Sequence, residues 1–189
     1  MELKQAVIFA ILERTTTKKR KCTVNNVLKN LEVFSQFKNL EKEEIVRIMG
    51  ELIQEGVIDL VQNPYANNKN EMICMQIKKE VLKEVQQLYE QNIIERYSGL
   101  APNSAQILQN IYKKHVIMHE PYILDNLAKD EKEMFDEVVQ ELGENGFVKV
   151  VDSYSKDGEI LNCDIALITL SGKKAFEKNL EKEASSQEK

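Results

Sequence analysis

Four consecutive cations, Lys18-Lys19-Arg20-Lys21, form the single dense basic run in the chain, and such a run can grip phosphate oxygens without reading bases. Arg47, Tyr65 and Lys69 add a guanidinium, a ring able to stack on a base and another ammonium in the same half of the sequence. These seven residues are the candidate nucleic-acid contacts; the competing reading of each is ordinary solvated surface. Patterns that would mark catalysis are absent. His115 and His119 are four apart with Glu120 next, but a zinc-protease helix needs its Glu between the histidines. Cys22, Cys74 and Cys163 have no recognisable His and carboxylate partners, and no His lies in the first domain. There is no Gly-rich phosphate loop, and the many carboxylates are spread along helix faces. The reading is a non-enzyme that takes no metal and no cofactor.

The charge balance restrains even the nucleic-acid reading. Across 189 residues, 26 Lys and Arg stand against 31 Asp and Glu, a net −5. Residues 1–75 carry 11 basic and 10 acidic side chains, so residues 76–189 carry 15 and 21; the halves stand at +1 and −6. A polyanion would therefore meet the first half. Three widely spaced cysteines make neither a disulfide framework nor a zinc site and fit a reducing compartment, cytosol or nucleus. No apolar run approaches the roughly 20 residues that span a bilayer, so no membrane partner is expected.

The elements that would position these residues occur twice. Glu51-Leu52-Ile53-Gln54-Glu55-Gly56-Val57-Ile58-Asp59-Leu60-Val61 and Glu141-Leu142-Gly143-Glu144-Asn145-Gly146-Phe147-Val148-Lys149-Val150-Val151 match at an offset of 90. Such internal copies outrank other fold signals. Ile45, Ile48, Met49, Leu52 and Ile53 recur at helical spacing, as do Phe135, Val138, Val139 and Leu142. Gly56 and Gly146 sit where a helix ends in the left-handed region. A β-branched run, a polar turn (63–70 or 155–158) and a second strand follow, with Asp157-Gly158 a hairpin signal. Upstream, helices are predicted over 3–14, 24–37 (capped by Thr23), 104–115 and 121–128, with Asp130 and Glu133 forming a capping box for the last helix of the second copy.

Three helices and then a hairpin, twice, is the order of the winged helix. The predicted fold class is mostly α with short β-hairpins (α+β), as two tandem winged-helix domains joined by a helix. The first domain spans 1–78. A connecting helix and linker, 79–102, carries the stripe Val81, Val85, Leu88, Ile93 and Ile94, and the second domain spans 103–180. Its last helix, 171–180, packs Ala175 and Phe176, and 181–189 has the composition of a disordered tail.

The third helix of a winged helix often enters the major groove. Its outward positions here are Lys42, Glu43, Glu44, Arg47, Glu51, Gln54 and Glu55 in the first copy. In the second they are Glu131, Lys132, Glu133, Asp136, Glu137, Gln140, Glu141 and Glu144. DNA presents a phosphate charge about every 1.7 Å of axis, so faces this acidic are expected to be solvated or to contact protein.

The segment Glu51 to Ile58, the Asn-rich wing and Val81-Leu82-Lys83-Glu84-Val85-Gln86-Gln87-Leu88 resemble, in order, the C-terminal half of the Stn subunit of the telomeric Ctc–Stn–Ten (CST) complex. That family is related to the middle subunit of replication protein A. The resemblance covers nearly the whole chain as an order of elements with loose apolar matches. It implies a protein-interaction module, nuclear and at telomeres, that bridges partner subunits and the polymerase α–primase or telomerase machinery. The family's oligonucleotide-binding barrel precedes this region, so the resemblance also implies that the chain is a piece of a longer protein. The alternative from another class is a winged-helix DNA-binding transcriptional regulator of bacterial or viral origin, cytoplasmic, motivated by Lys18–Lys21. A membrane-trafficking scaffold is a third.

Overall fold

In the computed structural model the described residues are 1–17, 21–62, 73–124, 129–156 and 159–187; side chains at 17, 35, 129–134, 153–156, 159–162 and 182–187 are not described. The chain is mostly helical with two small antiparallel sheets, an α+β arrangement, and divides into two compact units, Met1–Gln91 and Asn92–Lys189.

The first unit opens with α1 (Leu3–Leu12), which tightens its grip on the core with Ala6, Val7, Ala10, Ile11 and Leu12 and ends in one π-helical turn, Glu13–Thr17. Thr15 and Thr16 hydroxyls donate to the Ile11 and Leu12 carbonyls there, at 2.8 and 2.6 Å. Next is α2 (Val24–Leu31). Thr23 caps it as expected: its side chain accepts from the Asn26 N–H while Asn26 Oδ1 accepts from the Thr23 N–H. The helix stops six residues short of the predicted end at 37. Phe34 and Phe37 instead take tighter bonds, to the Leu31 and Phe34 carbonyls, and a 3₁₀ turn (Ser35–Phe37) tucks Phe37 inward beside Phe34. Then come α3 (Lys42–Gln54) and the hairpin β1 (Ile58–Gln62) and β2 (Ile73–Ile77), in register Ile58 to Ile77 and Leu60 to Met75. Cys22 adds a bridge on the other side of β2, at Met75.

The helix α4 (Lys79–Ser98) holds the boundary between the units, between Gln91 and Asn92. Of the predicted stripe, Val85 and Ile93 are buried but Leu88 is exposed, and Tyr89 is buried in its place. Tyr89 stacks edge-on against Phe9 at 5.1 Å and donates its hydroxyl to the Glu13 carboxylate.

The second unit shares with the first a helix followed by an antiparallel hairpin and a trailing helix, and differs in having a three-stranded sheet. It contains α5 (Pro102–Tyr112), a second π turn (Lys113–Ile117), β3 (Tyr122–Ile123), α6 (Lys129–Glu144), β4 (Val148–Lys156), β5 (Glu159–Ile168) and α7 (Leu170–Gln187). The sheet order is β3-β5-β4, with an irregularity between Val151 and Ser153. The predicted helix over 121–128 is not found in its described part. Tyr122 and Ile123 pair with Ala166 and Ile165, and Leu124 N–H donates to the Asp164 carbonyl at 2.8 Å. A left-handed His119 and then Pro121 turn the chain away from helix, and Tyr122 stacks flat on Phe135 at 5.5 Å. Residues 125–128 lie outside the described residues, as does Asp157-Gly158. Because α6 begins at Lys129, Asp130 falls inside the first turn and is not its N-cap.

Tyr112 on α5 repeats the first unit's aromatic lock with the roles exchanged. Its ring meets Phe176 of α7 at 4.7 Å and its hydroxyl donates to Glu177 at 3.0 Å. In the first unit the Glu is on the opening helix and the Tyr on the trailing one. Helix α7 runs on to Gln187, so the tail predicted as irregular from 181 is helical up to that point. It is capped two residues before Ser171: the Thr169 hydroxyl accepts from Gly172 N–H at 3.0 Å and donates to the Gly146 carbonyl at 2.7 Å.

Candidate interaction surface

The repeated sequence forms the same hydrogen-bonded motif in both units. Gly56 N–H donates to Ile53 and Val57 N–H to Leu52; Gly146 N–H donates to Gly143 and Phe147 N–H to Leu142, all at 2.8–3.0 Å. This is a Schellman end, and Gly56 (φ 73°) and Gly146 (φ 68°) supply the left-handed residue it needs. Beyond it, Lys78 N–H donates to the Val57 carbonyl and Thr169 N–H to the Phe147 carbonyl, at 3.0 and 2.9 Å. Helices α3 and α6, and hence their outer faces, are therefore fixed at their C-terminal ends to the sheets that follow.

That outer face is less open than the sequence suggests. Glu51 and Glu141, matched in the repeat, are both half-buried and both reach back to the opening helix. Glu141 accepts from Ala101 N–H at 3.1 Å and from the Ser104 hydroxyl, satisfying the N-terminus of α5. Glu51 lies 3.5 Å from Lys4, whose ammonium also bonds Glu55 at 2.5 Å. Arg47, the one Arg of the candidate set on α3, is exposed and bonds Glu51 at 2.5 Å, an i,i+4 pair. Lys21 is exposed, and its backbone carbonyl accepts from Arg14 Nε at 3.0 Å. Lys18, Lys19, Arg20, Tyr65 and Lys69 lie outside the described residues. The two described candidates, Lys21 and Arg47, share no partner: one is tied through its backbone to Arg14, the other through its side chain to Glu51.

Apolar side chains on the outside of α3 were missed from the sequence. Val46 and Ile53 are 50% and 38% exposed. They are seven residues apart, two turns along one flank, whereas Ile45, Ile48, Met49 and Leu52 are buried. Ile53, counted above among core positions, is thus on the surface. Gly50 lies between them with nothing within 4 Å of where a Cβ would be. On the hairpin, Leu60 and Ile73 are 47% and 56% exposed, on the same sheet face as buried Ile58, Met75 and Ile77. Plotting α3 at 100° per residue puts Val46 and Ile53 beside the core stripe, a signal present in the sequence.

The histidine pair is structural on one side. His115 Nδ1 accepts from Ile168 N–H at 3.3 Å, which requires the neutral ring with its proton on Nε2. Burial holds its pKa below the usual 6.5, with the charge of nearby His119 adding to the depression. A native pKa below the unfolded one means the unfolded chain takes up a proton first. Stability is expected to be full above pH 6.5 and to fall as pH drops below it, levelling off beneath the native pKa. Urea unfolding at stepped pH checks this, and His115→Gln should flatten that part of the profile.

Cys22 and Cys74 are buried and Cys163 is half-buried, all as free thiols. Burial pushes the Cys22 thiol up to about 12, outweighing the lowering by Arg14, while Cys74 raises it further. Native protein at pH 8 should leave Cys22 unmodified by iodoacetamide while denatured protein is labelled at all three sites, as read by mass spectrometry. Among the described residues no three His, Cys, Asp or Glu side chains gather as a metal site, and no helix is long and apolar enough to cross a membrane. Neither a protein-family model nor a curated protein matches the chain.

Proposed function

We propose that each compact unit is a winged-helix domain and that the tandem pair is a non-enzymatic protein-interaction module. In this reading it serves a telomere-maintenance or replication complex of the CST kind, in the nucleus, bridging partner subunits and the polymerase α–primase or telomerase machinery. The observation that carries the reading is the outer face of α3. It presents Val46 and Ile53 with Glu43 and Glu44, and its Arg47 is already paired with Glu51. A helix entering a major groove must match a line of phosphates with cations; this one offers apolar surface and carboxylates, with Lys42 as its one exposed cation besides the paired Arg47, more the materials of a protein contact. The described outer positions of α6, Asp136, Glu137, Gln140 and Glu144, are exposed and add no cation. Half-exposed apolar side chains grouped on one helix and hairpin are also the surface that partners cover.

The exposed Lys21, at the end of the basic run, favours the second reading, a DNA-binding regulator. Pull-down of the full chain against purified subunits of polymerase α–primase and of telomerase tests the first. Retention of at least one subunit is expected, and loss of all retention across the set would sink it.

A further inference from the structure

We propose that the second unit carries a pH-sensitive latch: the neutral His115 ring pins the π turn Lys113–Ile117 to the end of β5, and a proton on that ring releases the turn and the residues through Glu120 while the rest of the unit stays folded. The inference is independent of the protein-interaction reading.

The bond that makes the latch is one a proton must break. Ile168 N–H donates to His115 Nδ1 at 3.3 Å. That nitrogen accepts only while it carries no proton; in the imidazolium both ring nitrogens are donors, and ring and amide would then turn two donors on each other. The bond also lies at a junction, because Ile168 ends β5 opposite Val148 and the next residue, Thr169, caps α7. The segment it holds is closed on itself. Met118 N–H donates to the Lys113 carbonyl at 3.0 Å, Glu120 N–H to the Lys114 carbonyl at 2.9 Å, and the Lys114 ammonium pairs with Glu120 at 2.9 Å. His119 stands in the left-handed region, φ 57°, which is uncommon for a residue with a side chain, so release relaxes it. Ile117 and Met118 at the tip are 63% and 52% exposed, so little apolar burial holds the tip down. A segment of this kind can open locally without unfolding its domain.

The first unit provides an internal comparison. Its opening helix also ends in a π turn, Glu13–Thr17, and at the third position, where the second unit has His115, it has Thr15. The Thr15 hydroxyl donates to the Ile11 carbonyl of its own helix at 2.8 Å. The same turn is thus built without a titratable ring, so the fold itself does not call for His115.

The surroundings favour release in acid. On its own segment the ring has Lys113, Lys114, His119 and Glu120 for ionisable neighbours, and Lys114 and Glu120 are turned to each other. Cys163 and Asp164 lie on β5, Tyr112 ends α5, and Lys173, Lys174 and Glu177 lie on α7, where Tyr112 and Lys173 both go to Glu177, at 3.0 and 3.8 Å. Among the described residues no carboxylate holds the ring charged: burial lowers its pKa below 6.5, and the charge of His119 lowers it further. Once released into water the ring returns to its ordinary value of about 6.5. The open form therefore takes up the proton first. Its ratio to the closed form rises by up to about tenfold per pH unit as pH falls below about 6.5, and levels off beneath the closed form's pKa.

Native-state hydrogen exchange of the full chain, read by NMR from about pH 7.5 to about pH 5, tests the latch. Protection of the Ile168 amide, corrected for the intrinsic pH dependence of exchange, should fall by up to about tenfold per pH unit below about 6.5. The Phe147 amide, bonded to the Leu142 carbonyl, should keep its protection. Nitrogen shifts of the ring should show a bare Nδ1 at the upper end of the range and a protonated one over the interval in which Ile168 loses protection. His115→Asn, whose Oδ1 reaches the position of Nδ1 and takes no proton, should leave Ile168 protected at every pH. His115→Ala, with no acceptor, should leave it poorly protected at every pH. Protection at Ile168 that stays level in the unaltered chain, or falls just as steeply in His115→Asn, overturns the latch. A Phe147 amide that loses protection in step with Ile168 also overturns it, since the whole unit would then be opening. A ring that carries its proton on Nδ1 at the upper end of the range overturns it without any variant.

Discussion

Gly172→Ala is expected to lower the melting temperature of the second unit by about 10 °C, even though alanine favours helix more than glycine does. A Cβ built on Gly172 comes within 2.2 Å of the Phe147 carbonyl oxygen, and within 3.0 Å of the Phe147 carbonyl carbon and Ile168 Cγ1. That oxygen cannot step aside, because it accepts from Thr169 N–H at 2.9 Å and from the Thr169 hydroxyl at 3.1 Å. The same Thr169 caps α7 through Gly172 N–H. The obstacle is therefore backbone held at both ends of a cap, not the flexible tip of a side chain. Overpacking of this kind costs about 3 kcal/mol, against about 1 kcal/mol gained from propensity. The net of about 2 kcal/mol corresponds to roughly 10 °C for a domain of this size. Circular dichroism melts of the variant and of Gly50→Ala, whose site is open, make the comparison: the first should fall and the second rise. A Gly172→Ala melt at or above that of the unaltered chain would show that α7 does not press on the hairpin base as described.

Phe147→Ala should cost more, about 3–5 kcal/mol, the range for truncating a fully buried Phe. Phe147 is fully buried, follows the left-handed Gly146 and places its ring under the Arg96 guanidinium at 5.1 Å, with Tyr97 at 6.5 Å. Arg96 is itself held by Asn92 Oδ1 at 2.8 Å and by the Asn145 carbonyl. Truncation thus leaves a cavity and removes the ring beneath a half-buried cation, worth about another 1 kcal/mol. Phe147→Val, which installs the residue found at the matched position Val57, keeps the Schellman bonds and refills part of the space, so about half the loss is expected. Denaturant unfolding followed in the second unit distinguishes the two, and equal losses would assign the effect to the ring–cation contact instead of to volume.

What the sequence made legible was what depends on local backbone chemistry. Gly56 and Gly146 end their helices in the left-handed region because the pattern leaves no other cap, and Thr23 caps α2 because its hydroxyl lies three residues from Asn26. Both hairpins followed from β-branched runs after those glycines. Features decided by distant partners were not legible. The segment at Tyr122 reads as helix locally, yet β5 had a free edge and Phe135 a free face, and tertiary pairing prevailed. Leu88 and Tyr89 are adjacent, and hydropathy favours the first for the core. Phe9 and the Glu13 carboxylate choose the second, because they satisfy both ring and hydroxyl. On the candidate surface, treating every charged position of the third helix as outward-facing hid that Glu51 and Glu141 pin it to the opening helix. Treating every apolar position as core hid Ile53.

The central proposal is that the outer faces of α3 and α6 meet proteins, not a DNA groove. Anisotropy of a labelled DNA duplex titrated with the full chain at low salt, about 50 mM, tests it most directly. No saturable binding is expected at micromolar protein, and Arg47→Glu should change nothing. Tight binding that weakens steeply with salt and is lost in Arg47→Glu would contradict the account, since it would make α3 the groove-entering helix after all.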